Sequence, residues 1–544
     1  MSSIDTGLHY PIKLDGLPKS WAYGVVGEFC DVVQSGFACG KHSDDDIGVT
    51  HLRPMNVSRK GAIDLTVQKF VPSSYDDRRL SAGNVLFNNT NSPELIGKTA
   101  YVTNEAVGLA FSNHMTRIKF NSAVDAKYGA YQLHYLWMAR YYMHKCIKHV
   151  NQASISSRDF SKSIPFVVPP TNEQHRIVAK IEGLFSELDK GIESLRTARK
   201  QLKIYRQALL KYAFEGKLTE QWRKENADKL ESADQLLERI KREREARYQQ
   251  QLEEWKAAVK QWEADGKEGK KPSKPSKLVP FSIHSAIDKG RLPTLPNGWE
   301  WLNLSDVVER IQIGPFGSLL HKQDYIQGGT PLINPSHIKD MSIVPDYGLT
   351  VSDQKLSELE KYVMSKNDIV IGRRGEMGRC AIVKEQEDGW LCGTGSLFVR
   401  LLRLYIADFY CHILSSQRVR DYLSDSSIGT TMQNLNQKIL QTVPIPICSY
   451  DEQIEIVSEL NRQFSVIDNT LQDIDGNLKK SKALRQSILK KAFSGQLVPQ
   501  DPNDEPASEL LKRIATEKSE QAAQAKATKA IRATARKKRA AKIT

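Results

Sequence analysis

Between residues 172 and 214, apolar side chains fall at Ile177, Ile181, Leu184, Leu188, Ile192, Leu195, Leu202, Tyr205 and Leu209. Steps of three, four or seven place them along one face of a helix. The pattern recurs at Ile456, Leu460, Phe464, Ile467, Leu471, Ile474, Leu478 and Ile488. Pro170 and Pro446 stand just before the two stretches, and Gly216 and Gly495 just after, where helix boundaries tolerate them. The spacing predicts a helix over 172–214, 43 residues and roughly 65 Å at 1.5 Å per residue, with a counterpart over 451–493. A single apolar stripe of that length needs a partner. The other stretch supplies it, so an intramolecular antiparallel coiled coil is expected.

Other segments alternate in the manner of strands. "GNVLFNNTNSPELIGKTAYV" (83–102) and "NDIVIGRRGEMGRCAIV" (367–383) each read as an apolar strand, a polar loop and a second apolar strand. The strands agree while the loops differ, which is how one scaffold carries two specificities. The likeness belongs to a long duplication. Pro165, Glu173, Gln174, Asp189, Arg206, Gln207, Ala213, Phe214 and Gly216 match Pro444, Glu452, Gln453, Asp468, Arg485, Gln486, Ala492, Phe493 and Gly495 at a constant offset of 279. "LPKSW" (17–21) likewise matches "LPNGW" (295–299), and Leu236, Leu237, Arg239 and Ile240 are echoed by Leu510, Leu511, Arg513 and Ile514. A period this long is a whole domain with its connector, not a solenoid repeat.

Composition adds bounds. The 544 residues allow several domains. Seven cysteines (Cys30, Cys39, Cys146, Cys380, Cys392, Cys411 and Cys448) form no CxxC pair and read as reduced thiols. No run of 18 apolar residues occurs and the N-terminus lacks a basic-then-apolar leader, so a soluble, cytoplasmic chain without membrane partners is expected. The net charge of +14 points to a polyanion only weakly, because residues 515–544 hold nine Lys/Arg against Glu517 and Glu520. After residue 262, "ADGKEGKKPSKPSK" has a linker's composition. Trp222, Trp255 and Trp262 read as packing aromatics.

The paired "IPFVVPPTNEQ" (164–174) and "VPIPICSYDEQ" (443–453), with the helix ends "RQALLKYAFEGKL" (206–218) and "RQSILKKAFSGQL" (485–497), resemble the specificity (S) subunit of type I restriction-modification enzymes. The resemblance covers essentially the whole chain. It implies an α+β protein with two mixed α/β target recognition domains, joined by two long helices in a pseudo-twofold repeat. The division expected is a first recognition domain over 1–163, helical spacer 164–262, linker 263–290, second recognition domain 291–442, helical spacer 443–514 and basic tail 515–544. It further implies a non-catalytic subunit that reads a bipartite site in double-stranded DNA. Two methyltransferase (M) subunits and restriction/translocase (R) subunits would be its partners. S-adenosylmethionine, ATP and Mg would be bound there and no cofactor by this chain.

The opposing reading is a self-sufficient nuclease or methyltransferase with recognition domains attached, and the motifs do not favour it. "SPELIGKT" (92–99) ends like a phosphate-binding loop but has Ser92 where glycine is required. Asp346, Asp353 and Lys355 imitate a nuclease set, yet a turn followed by a helix start explains them. An Asp/Asn-Pro-Pro-aromatic sequence is missing. DNA-reading residues are therefore proposed from chemistry alone. Arg373, Arg374 and Arg379 suit guanine, whereas Asn88, Asn89 and Asn91 suit adenine. Lys98 closes the same copy-one loop. Lys41 and His42 in "SGFACGKHSDDD" (35–46), and His321 and Lys322 in "IGPFGSLLHKQD" (313–324), could meet phosphates. Turn formation and simple solvation are the alternatives for all of these.

Overall fold

In each copy the strand after the LPxxW motif pairs antiparallel with the strand that leads into the long helix. Ala22–Val25 pairs with Pro165–Val168, and Glu300–Asn303 with Pro444–Ile447. The chain therefore leaves each domain beside the point where it entered. The computed structural model describes residues 9–40, 42–43, 47–74, 78–150, 152–269, 271–275, 277–278, 280–281, 292–375, 378–403, 405–426 and 435–516. Most of the expected basic tail, much of the linker and Lys41 lie outside the described residues.

Both domains carry the same four-stranded antiparallel sheet. In copy one its order is Cys30–Ser35, Met115–Phe120, Val85–Asn88, Thr99–Tyr101; in copy two it is Val308–Ile313, Ser396–Leu401, Ile369–Gly372, Cys380–Ile382. Even the bulge recurs, between Cys30 and Val32 and between Val308 and Arg310. A smaller sheet adjoins each, with one parallel pairing apiece, His51↔Ala110 and Leu332↔Leu391. Apolar helices cover the main sheets: Ala126–Met138 in copy one, Ala407–Leu414 in copy two. Architecture and internal repeat are those expected.

The long helices run Thr171–Phe214 and Tyr450–Phe493, 44 residues each. The compact units do not follow the sequence division. One comprises residues 1–196 with 474–544, the other residues 197–473, so the cut falls midway along both helices. Each helix starts on its own domain and contributes its last turns to the core of the other copy's domain. In the first unit Phe493 lies 5.5 Å from both Tyr128 and Tyr135, and Leu489 and Ala492 are buried with it. In the second, Phe214 meets Phe409 edge-on at 5.5 Å, beside Leu210 and Ala213.

Within each unit the helix segments run antiparallel, held by equivalent pairs. Arg485 donates to Asp189 at 2.7 Å and lies over the Phe185 ring at 4.1 Å. Arg206 donates to Asp468 at 2.6 Å and lies over Phe464 at 4.2 Å. All three residues correspond at offset 279. Burial alone would raise the Asp189 carboxyl, but hydrogen bonds from Lys60 and Arg485 outweigh it and hold the group below its ordinary value. The exposed parts of such pairs are worth at most about 1 kcal/mol each, so they set register more than stability.

The duplicated motifs meet where the helices exchange. Trp21 Nε1 donates to Glu173 at 3.0 Å, and Gln500, beyond the end of the second helix, donates to the other carboxylate oxygen at 2.6 Å. Trp299 Nε1 donates to Glu452 at 2.8 Å, while Thr219 (2.7 Å) and Arg223 (3.0 Å), beyond the end of the first helix, donate to the opposite oxygen. The glycine after each helix is required by conformation and by space. Gly216 and Gly495 have φ of +69° and +73°, and an added Cβ would lie 2.4 Å from Pro296 and 2.5 Å from Pro18. Thus Pro18, Trp21, Glu173 and Gly495 form one junction, and Pro296, Trp299, Glu452 and Gly216 its equivalent.

After the first helix, Ala233–Ala264 forms a helix of 32 residues whose Leu236 and Ile240 enter the second core. Arg244 and Arg247 join it to Asp306 and Glu309. Its tryptophans, Trp255 and Trp262, are half-buried. Trp255 Nε1 donates to the Pro272 carbonyl at 3.1 Å, and Lys274 lies over its ring, so the described start of the linker folds back on this helix. Trp222 is half-buried, and Asn226 Nδ2 donates to its carbonyl at 2.9 Å.

Glu452→Ala should destabilise the chain by roughly 3 kcal/mol, because it removes the carboxylate that pairs with the partly buried Arg223 guanidinium and accepts from Trp299 and Thr219. Denaturant unfolding would show this, with Glu452→Gln losing less. Acid should act through His134 and His412. Burial lowers both rings to about 4 from an ordinary 6.5. The unfolded chain then takes up these protons first as pH falls. Stability should drop between about pH 6.5 and 4 by up to roughly 1.4 kcal/mol per unit for each ring. Replacing either with Gln should flatten that slope.

Candidate functional site

Four connections converge at one end of each main sheet, tied by backbone hydrogen bonds. In copy one, Gly36 donates to Met115 O (3.0 Å), Phe37 to Phe111 O (3.2 Å), Ser112 to Leu52 O (2.9 Å) and Asn89 to His114 O (3.1 Å). In copy two, Gly314 donates to Ser396 O (3.0 Å), Gly393 to Ile333 O (2.9 Å) and Arg373 to Gly395 O (2.9 Å). The loop after the first sheet strand, a proline turn (53–56 or 334–337), the loop after the central strand and a short turn (112–114 or 393–395) are thereby held together. Glycine is obligatory where they touch. A Cβ on Gly36 or Gly314 would lie 2.0 Å from a carbonyl oxygen of the facing turn.

The proline turns are self-capped. Asn56 Oδ1 accepts from Arg53 N at 2.9 Å, and its Nδ2 donates to Asp64 O and Val67 O at 2.8 Å each. The corresponding His337 faces Asn334 N at 3.3 Å. What differs between the copies is the decoration: Arg53, Met55, Asn113 and His114 in one; Asn334, Phe316, Arg374 and Thr394 in the other.

Copy one departs from the expectation at three residues. Asn88 is fully buried and donates to Pro54 O at 2.9 Å. Asn89 is buried, donating to Thr116 Oγ1 (2.9 Å) and Asn113 O (3.2 Å) and accepting from Thr90 Oγ1 (2.9 Å). Lys98 turns inward to the Val57 carbonyl, and burial, then Arg59, lowers its pKa. These side chains fix the proline turn and facing turn from within, so in this conformation none presents a free edge to a base or phosphate. Asn91 is half-buried, its Oδ1 accepting from Ser92 N at 2.8 Å. His42 remains exposed. Its Nε2 lies 2.8 Å from His51 Nδ1, and burial, then Arg53 and Lys69, lowers its pKa.

In copy two the arginines stay with the cluster. Arg374 is exposed at its surface. Arg373 is half-buried, its Nε donating to Leu435 O at 2.9 Å; burial, then Arg374, lowers its pKa. Arg379 Nη1 donates to Pro335 O at 3.1 Å and so ties the loop to the proline turn. His321 and Lys322 are exposed, but they follow Leu320, which is anchored in the separate core of the small sheet. Arg53, Met55, Asn113, His114, Phe316, Asn334 and Thr394 were not singled out from sequence. Aligning the two copies turn by turn was the available signal, since "RPMN" and "NPSH" occupy the same turn.

A family profile described as "Type I restriction modification DNA specificity domain" matches residues 18–196 and 296–475. The chain belongs to this family. Among similar proteins of this specificity family, the type I restriction enzyme EcoBI specificity subunit of Escherichia coli is 24% identical over 376 residues, covering 67% of this chain and 66% of that one. The EcoKI specificity subunit of Escherichia coli (strain K12) is 31% identical over 216 residues, 38% of this chain and 46% of that one. The alignments thus span about two thirds and about half of those relatives. A solved chain from work titled for complex assembly and conformational transition of the type I R-M system shares the fold, with a TM-score of 0.59, 17% identity, and coverage of 88% of this chain and 99% of that one. Family copies and structural copies coincide, each spanning one loop cluster and the first half of one long helix.

Arg374→Ala should weaken binding to one half-site by roughly 1–3 kcal/mol with little effect on random DNA, as a lost base contact would. Asn89→Ala should instead cost roughly 1–3 kcal/mol of folding stability by leaving buried groups unpaired, with both half-sites unchanged. Competition binding and thermal unfolding separate the two outcomes.

Proposed function

We propose that this chain is the sequence-reading subunit of a type I restriction-modification complex. It reads a bipartite site with an unread spacer and directs adenine N6 methylation and restriction by partner subunits. The observation that carries this is one loop cluster built twice on one scaffold, with Arg53, Asn113 and His114 on one copy and Arg374, Thr394 and Phe316 on the other. Fixed backbone with changed side chains is what two different half-sites require.

Two methyltransferase subunits, restriction/translocase subunits and double-stranded DNA are the partners proposed. S-adenosylmethionine, ATP and Mg belong to those subunits in this reading, which places the whole in the cytoplasm. Among the described residues no helix is long and apolar enough to cross a membrane. The long helices supply a docking surface for the methyltransferase subunits. Ile204, Tyr205, Tyr212, Ile454, Val466 and Leu484 remain exposed on them, a wider apolar display than their own pairing needs.

The purified chain, given labelled S-adenosylmethionine and DNA, should transfer no methyl group until the methyltransferase subunit is added. Transfer by the chain alone would overturn the assignment of chemistry. A second test addresses the spacer. Inserting four residues into both helices, between Asp189 and Arg206 and between Asp468 and Arg485, adds about one turn, roughly 6 Å. Each helix end keeps its domain, so the methylated half-sites should move apart by roughly two base pairs with their sequences unchanged. Full activity on the original spacing would show that the helices do not set the distance.

A further inference from the structure

Phe316 has no structural use within the domain. It is 64% exposed, and among the described residues it has no aromatic or cationic partner. Its backbone is well held. Gly314, two residues before, is pinned to Ser396; Leu319 N donates to Phe316 O at 2.9 Å and closes a turn; Leu320 is buried in the small-sheet core. The turn therefore holds out a phenyl ring, with the 40% exposed Leu319 beside it. Removing such a ring from water is favourable, so the free protein leaves that gain unused.

Its position says what takes it up. The turn at 393–396 receives the backbone of Gly314 on one side and of Arg373 on the other, so Phe316 and the exposed Arg374 leave neighbouring loops of one cluster. A guanidinium and an apolar tip carried on neighbouring loops suit the edge of a base pair in the major groove, where the thymine C5-methyl is the apolar group on offer. Copy one presents Met55, 53% exposed, from the proline turn of its own cluster. Each cluster thus displays a large apolar side chain, from a different loop, as different half-sites would demand.

We infer that Phe316 is a specificity residue of the second copy, packing on the C5-methyl group of a thymine in its half-site. This rests on the proposed reading of the loop cluster as the DNA surface.

The test uses the full chain assembled with its methyltransferase subunits, on duplexes carrying the site mapped from the host's own methylation. Each thymine of both half-sites is replaced in turn, on either strand, by deoxyuridine, which lacks only the methyl group. Wild type should lose about four-fold in affinity at one position, the worth of one methyl group removed from water. Phe316→Ala should bind the thymine duplex more weakly and show no preference for thymine over deoxyuridine there, whereas Phe316→Leu should retain part of it. At 64% exposure the substitutions leave the core untouched. Half-sites without thymine, or a Phe316→Ala complex that still discriminates at every position, would overturn the inference. So would a Phe316→Ala complex whose affinity falls by the same factor on the thymine and the deoxyuridine duplex, leaving the wild-type preference intact, as expected of a wedge between bases. Arg374→Ala in the same assay separates the two readings. If it weakens binding while Phe316→Ala does not, only the thymine contact fails; if neither does, the loop cluster is not the reading surface.

Discussion

Two buried carboxylates, Glu173 and Glu452, hold this molecule in its arrangement. Each accepts the indole N–H of its own domain's tryptophan with one oxygen and takes donors from the segment after the other copy's helix with the other. Burying a carboxylate is costly unless hydrogen bonds replace those it made to water. For Glu173, burial wins in part: it raises the carboxyl despite the hydrogen bonds from Gln500 and Trp21. Around these groups the glycines close on the prolines, and Phe493 and Phe214 enter the neighbouring cores. The thirteen-residue repeat is therefore a repeated socket, in which the end of one helix is a structural part of the domain encoded by the other half.

That constraint sets how the loops can vary. The sheet, its bulge, the obligatory glycines at 36 and 314 and the hydrogen bonds among the turns recur in both copies. Side chains pointing into that frame are committed within it, Asn56 and Asn88 to backbone carbonyls and Asn89 to Asn113 O and Thr116 Oγ1. Those on the outer surface of the loops carry no such duty. Substitution at Met55, Phe316 or Arg374 would therefore leave the junctions undisturbed, because no described side-chain hydrogen bond ties these three to them.

Much of this was legible beforehand where signals are local. The helices begin and end within one residue of the limits that proline and glycine punctuation predicts. The strand, loop, strand pattern was read correctly in both copies, and Asp353 and Lys355 lie in a short helix capped by Ser352 that follows the strand Thr350–Val351. The errors have a common physical source. Asn88, Asn89 and Lys98 look like loop residues because asparagine, glycine and lysine favour loops. Their partners, Pro54 O, Thr116 Oγ1 and Val57 O, lie 27 to 41 residues away, beyond any local pattern. The proline turns and facing turns escaped notice for the same reason. The compact units also differ from the sequence domains, since periodicity reveals that two helices pair but not which core receives each end.

The most direct test of the exchanged helices is to cut the chain between its halves. A protease site placed within residues 265–291 would yield two fragments, each with one recognition domain and one complete long helix. Size-exclusion chromatography with light scattering would then report whether they part at low micromolar concentration. If each helix end completes the other fragment's core, the two should remain together as a single species of the uncut mass, separating only on unfolding. Two folded, independently eluting fragments would show that the helix ends are not part of the neighbouring cores and would contradict this account.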